Sequence, residues 1–138
     1  MPEITVTILG NPIAKKRPRF ARQGRFVRTY SDQQKESEQT AMTIRRKLPE
    51  DFVALEGPVV LGFEFFMPIT KSTSKKNASF MLSNHIKHIK KPDMDNLIKF
   101  YKDCMNGIVY KDDSQAWKYL EPVKLYSIDP RTVITVVW

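Results

Sequence analysis

The 138 residues include one cysteine, two histidines and five glycines, and each shortage closes off a class of site. Cys104 has no second cysteine to pair with, so no internal disulfide forms, which fits a reducing cytoplasm. One cysteine with His85 and His88 falls short of a structural zinc set, although the two histidines are close enough in sequence to meet on a turn. The glycines form no P-loop, no dinucleotide-binding fingerprint and no nucleophile elbow. No apolar run approaches the ~20 residues of a membrane span. The opening MPEITVTILG has neither the basic nor the apolar region of a signal peptide. A cytoplasmic protein without membrane attachment is expected.

Acid is also missing locally. Lys and Arg number 23 against 15 acids, a net charge of +8 and a pI near 9.6. Lys15, Lys16, Arg17, Arg19, Arg22, Arg25 and Arg28 follow one another with no acid between them. Lys71, Lys75, Lys76, Lys87, Lys90 and Lys91 form a second acid-free stretch that includes His85 and His88. A solvated face usually mixes signs, so two such stretches point to a polyanion, with nucleic acid foremost. The acids gather in 32–64 and 93–121.

A hydrophobic content of 41% with 28% charged residues describes a globular chain. Its length suits one domain over 1–138, without repeats or linkers. Ile4, Val6 and Ile8 alternate with Thr5 and Thr7, predicting a half-buried strand over 3–9 that ends at Asn11-Pro12. Gln23-Gly24 predicts a turn, followed by a short strand over 25–30, in a hairpin or an ordered loop. Ser31 with Gln34 reads as a capping box opening a helix to about Leu48, with Ala41, Ile44 and Leu48 on one face. Val59–Met67 has one fully apolar face and a partly apolar second, which predicts a central strand. Residues 69–91 read as a long mobile loop with helical turns around 78–82. A second helix is expected over 95–105, with Leu97, Ile98, Tyr101, Cys104, Met105 and Ile108 as its apolar stripe and Asn106-Gly107 as its stop. Strands near 117–125 and 132–137 close the chain. The fold class is α+β: a mixed or antiparallel sheet of about four strands with two main helices packed against it.

The chemistry concentrates in Lys91-Pro92-Asp93-Met94-Asp95-Asn96-Leu97-Ile98-Lys99, then Asp103, Asp112 and Asp113. Asp95, Lys99 and Asp103 share a helix face opposite the apolar stripe, a rigid mount for a site. Aspartates suit Mg²⁺, which takes oxygen ligands and keeps several waters. Such an ion polarises a phosphodiester and activates water, while Lys99 would stabilise the charge that develops. Each residue also has a plainer reading. Asp93 or Asp95 can be a helix N-cap. Asp112-Asp113 can be a turn. Lys99 can be a helix-face partner of Asp95 and Asp103.

The K-P-D-x-D-N-L-x-K helix, with Asp103, Asn106-Gly107 and Asp112-Asp113-Ser114-Gln115 beyond it, resembles the signature of the RusA family of Holliday junction resolvases. Lys16-Arg17-Pro18-Arg19, followed by Thr29, is similar to the basic opening of phage and Gram-positive members. The resemblance covers most of the chain. It implies a RusA-like homodimer that nicks opposed strands of four-way DNA junctions with Mg²⁺, Mn²⁺ substituting. It implies that Asp93, Asp95 and Asp113 hold the metal and that Lys99 is the catalytic lysine. Asp103 and Asp112 match acidic positions beside the site.

The basic residues are assigned by chemistry alone. Lys15, Lys16, Arg17, Arg19 and Arg25 would contact phosphates, as would Lys75, Lys76, Lys87, Lys90 and Lys91, without reading sequence. Phe20, Phe26 or Phe80 would wedge into an open junction, or else belong to the core. Two other functions fit the same residues: a non-catalytic basic DNA-binding protein that retains the fold, and a metal-dependent nuclease for other branched DNA or for RNA.

Overall fold

Residues 3–9 form strand β1 (Glu3–Leu9), which buries Val6 as the alternation predicts. The computed structural model describes residues 1–17, 19–30 and 33–138, with the side chains at 19–21, 23 and 26–30 outside that description. Strands β2 (Arg19–Gln23) and β3 (Phe26–Tyr30) form a separate antiparallel hairpin. Gly24 turns it at φ +59°, a conformation that favours glycine. The basic stretch is therefore a hairpin and not a loop.

Helix α1 (Gln34–Lys47) presses Thr40 and Ile44 into the core. The expected cap, Ser31, lies outside the described residues. Gln33 occupies the N-cap position, and its buried amide reaches sideways instead. It accepts from the Lys16 amide at 2.6 Å and donates to the Ala14 carbonyl at 2.8 Å.

Strand β4 (Val59–Met67) is central, as its sequence predicts. Val59, Leu61, Phe63, Phe65 and Met67 are all buried on one face. Gly62 on the other face is closely approached. A Cβ there would meet the Leu120 side chain at 3.1 Å and the Thr135 Cβ at 3.3 Å.

Residues 69–91 hold a full helix where helical turns around 78–82 were expected within a loop. Ser74 caps a helix α2 (Lys75–Leu82), its side chain accepting from the Asn77 amide at 3.2 Å. None of its residues is buried, so no apolar period announced it. Helix α3 (Met94–Met105) buries Leu97, Phe100, Tyr101, Cys104 and Met105. Full burial of such side chains is worth about 1.5–3 kcal/mol each, enough to fix the helix firmly. The predicted stripe omitted Phe100 and gave Ile98 and Ile108 full membership. Those two are only partly buried.

The expected strand over 117–125 is two strands, β5 (Ala116–Tyr119) and β6 (Val123–Tyr126). Both run parallel to β4 on the same side, β5 along Val59–Leu61 and β6 along Glu64–Met67. Pro122 lies in the break and has no amide for a ladder. Strand β7 (Arg131–Val137) pairs antiparallel with both β1 and β4, Ile134 facing Val6 and Phe63. The main sheet is thus mixed and has five strands where about four were expected. Helix α3 provides the crossover that a parallel β4–β5 pairing requires. Among the described residues, no helix is long and apolar enough to cross a membrane.

Candidate active site

The exposed face of α3 meets a single 3₁₀ turn, Asp113–Gln115, across a cleft of about 310 Å³. Asp95, Lys99, Lys102 and Asp103 line it from the helix, Asp113 from the turn and Tyr119 from β5. The predicted sharing of one face by Asp95, Lys99 and Asp103 is what brings them together.

Asp112 and Asp113 have different situations. Asp112 caps the 3₁₀ turn. Its carboxylate accepts from the Ser114 amide at 3.0 Å and from the Ser114 hydroxyl, and those bonds hold its pKa below the usual range. Gln115 completes a capping box by accepting from the Asp112 amide at 2.8 Å. The same Gln115 donates to the carbonyls of Leu55 and Gly57 at 2.8 and 2.9 Å. Asp112 therefore shapes the turn, and Asp113 is the carboxylate that the turn delivers to the cleft.

Two cleft residues were missed from sequence. Lys102 donates from Nζ to the Tyr119 hydroxyl at 2.8 Å and lies 5.3 Å from the centre of that ring. Lys102 falls seven residues after Asp95, on the polar helix face, so its spacing was a usable signal. Tyr119 had none, because only the parallel pairing of β5 brings it there. Beneath them the buried Tyr110 hydroxyl donates to the Lys102 carbonyl at 2.8 Å, fixing that helix turn.

Asp93 is the N-cap of α3, as one of the plainer readings has it. Its Oδ1 accepts from the Asn96 amide at 2.9 Å. It lines a different cleft, shared with Arg17, Lys91, Pro92 and Asn96. The proposed triad is thus divided between two clefts at one helix start. Among the described residues, no three His, Cys, Asp or Glu side chains group closely enough to hold a metal ion.

The basic arm before β2 is tied to the same helix. The Ile13 amide donates to the Tyr101 hydroxyl at 2.9 Å, and the Lys15 amide to the Asn96 carbonyl at 2.9 Å. The Tyr101 hydroxyl is met again by Thr132 Oγ1 at 3.0 Å, and burial raises its pKa. Lys15 pairs with Asp103 at 3.1 Å. With both side chains about a third exposed, this pair contributes little stability. Lys16, Arg17 and Arg25 are exposed, as are Lys75, Lys76, Lys87, Lys90 and Lys91, all available to a polyanion. The Arg19, Phe20 and Phe26 side chains lie outside the described residues. Phe80 is 40% exposed on α2 and not part of the core.

The donor chemistry fits Mg²⁺. That ion is commonly held by one or two carboxylates with water and substrate phosphate completing its shell, without an all-protein cage. Asp95 and Asp113 supply two such carboxylates in one cleft. Asp93 keeps its Oδ2 outside the cap bond.

A family model described as Endodeoxyribonuclease RusA matches residues 10–137. The chain is also 32% identical over 137 residues to "Uncharacterized protein YqaN" of Bacillus subtilis (strain 168), covering 96% of this chain and 94% of that protein.

Proposed function

The chain belongs to the RusA endodeoxyribonuclease family, and on that premise we propose that it is a Mg²⁺-dependent Holliday junction resolvase acting as a homodimer. The observation that carries this reading is the convergence of Asp95, Lys99 and Asp113 on one cleft of a firmly buried helix. Asp95 and Asp113 would hold the ion, with water and substrate phosphate completing its shell, while Asp93 caps the helix from the neighbouring cleft. Bound Mg²⁺ supplies Lewis-acid polarisation of the phosphodiester and a water acidic enough to attack at neutral pH. Lys99 sets its ammonium against the non-bridging oxygens, where negative charge grows. The arm with Lys16 and Arg17, and the lysines of 71–91, hold the flanking phosphates. A two-fold enzyme matches a two-fold branched substrate and accounts for paired nicks.

The test is cleavage of a synthetic four-way junction in Mg²⁺ or Mn²⁺, with duplex DNA and RNA as competitors. Wild type nicks the junction, and Asp95→Asn lowers the rate at least about 100-fold while junction affinity measured in Ca²⁺ is retained. Normal cutting by Asp95→Asn removes the site assignment. Preferred cutting of duplex or RNA moves the substrate elsewhere.

The divided carboxylates favour one other reading, a DNA-binding protein that retains the fold without cutting. Wild-type inertness in both metals, with tight junction binding, would establish it.

A further inference from the structure

Beside the Asp93 cleft lies a second concavity, of about 310 Å³, that the catalytic chemistry does not use. It sits where β4 and β6 end, with Met81 of α2 on its wall, and it shares Lys91 and Pro92 with the Asp93 cleft. Its wall is mostly flat or apolar: Met67, Met81, Pro12 and Pro92, with the rings of His88 and Tyr126. Those two rings lie 5.0 Å apart. Asn11, Thr70 and Thr73 add a few hydrogen-bonding groups, and Lys90 and Lys91 stand at the mouth.

We propose that this concavity receives one unpaired nucleobase of a branched DNA strand, packed against the His88–Tyr126 ring pair with its face on one of the two rings, while the attached phosphate lies toward Lys91 and Arg17. The inference rests on the branched-DNA reading above.

Three observations carry it. First, a pocket lined by apolar and aromatic groups with a few polar ones and a cationic rim matches a nucleotide, which has a flat π-face, polar edges and an anionic link. Second, the two clefts adjoin on either side of Lys91-Pro92, so a strand with its phosphate beside Lys91 and Arg17 has its neighbouring base within reach of the pocket. Third, the wall between them is fixed. Lys124 donates from Nζ to the carbonyls of Lys90 and Pro92, each at 3.0 Å. Burial, with Lys124 nearby, also lowers the His88 pKa, so the ring meets a base neutral. Bases inside a duplex enter only by unpairing and unstacking, whereas a base flanking an open crossover has lost one stacking neighbour and leaves the helix at lower cost.

The test combines substrate and protein changes. A four-way junction is prepared with one abasic nucleotide, stepped through the positions flanking the crossover, and binding is measured by anisotropy in Ca²⁺. At one position the missing base weakens wild-type binding about tenfold or more, the worth of one base–aromatic stack. In Thr73→Trp, which fills the pocket, and in Tyr126→Leu, which removes one ring, intact and abasic junctions bind alike. Thermal melting checks that each variant folds, and Thr73→Trp alone suffices if Tyr126→Leu does not. Abasic substitutions that cost wild type nothing, or that cost both variants as much as wild type, overturn the inference while leaving junction resolution intact. Wild type that prefers no branched DNA over duplex overturns the branched-substrate reading and this pocket with it.

Discussion

At the scale of single residues, the cleft turns on what each polar group has left to offer. The Tyr119 hydroxyl accepts from Lys102, so its own proton points elsewhere and is free to donate to a phosphate oxygen. Tyr119→Phe keeps the ring and loses that donor. Single-turnover junction cleavage is expected to fall by about 10- to 100-fold, in line with about 1.5–3 kcal/mol for a hydrogen bond to a charged group. The melting temperature should stay put. An unchanged rate would leave Tyr119 as a mere cleft wall. His88 gives a prediction in pH. Its folded pKa is lowered, so as pH falls through the ordinary value of 6.5 the unfolded chain takes up the proton first. Stability is therefore lost on the acid side of pH 6.5, and His88→Gln should flatten that loss. A variant with the wild-type slope between pH 7 and 5.5 would contradict the assignment. Burial likewise raises the Cys104 thiol to about 12, so it stays protonated and inert at neutral pH.

At the scale of elements, the sequence was most legible where burial imposed a period. The two-sided apolar run over 59–67 announced a central strand, and the stripe from Leu97 announced α3. It was least legible where tertiary contact overrode local pattern. Helix α2 buries nothing, so its sequence announced only helical turns around 78–82 and not its full length from the Ser74 cap. The break between β5 and β6 follows from two parallel pairings with a strand more than fifty residues earlier, which no local window contains. The site shows the same division. The shared face of Asp95, Lys99 and Asp103 is helix periodicity and was readable. The separation of Asp93 into a neighbouring cleft depends on how the arm and the 3₁₀ turn dock, and was not. That docking makes a prediction for Gln115, whose side chain joins the turn to Leu55 and Gly57. Gln115→Ala should destabilise by about 1–3 kcal/mol, because carbonyls and an amide lose their partner. Cleavage should fall further than stability alone explains, since Asp113 loses its mount. Full activity at temperatures well below melting would show that the turn holds its shape without Gln115.

At the scale of the whole molecule, a net charge of +8 surrounds a small acidic cleft. Junction binding should weaken steeply with salt, its log–log slope reporting how many phosphates are neutralised. Replacing Lys75 and Lys76 with Gln should lower that slope by about 1–2 without changing substrate preference. A binding constant indifferent to salt would contradict a phosphate-gripping surface. Sedimentation at working concentration should give twice the mass of the 16.1 kDa chain. A monomer would be expected to nick one strand at a time.

The arm over 11–17 is sewn to α3 and to Gln33 through its backbone, by the Ile13–Tyr101, Lys15–Asn96 and Lys16–Gln33 bonds. On the proposed function, the phosphate-gripping cations of the arm and the cleft carboxylates would consequently travel as one rigid gauge, its spacing set when the chain folds and not when DNA arrives. Ionic strength should therefore change how often the enzyme holds a junction but not where it nicks, and the mapped break should stay on the same nucleotide from dilute to concentrated salt.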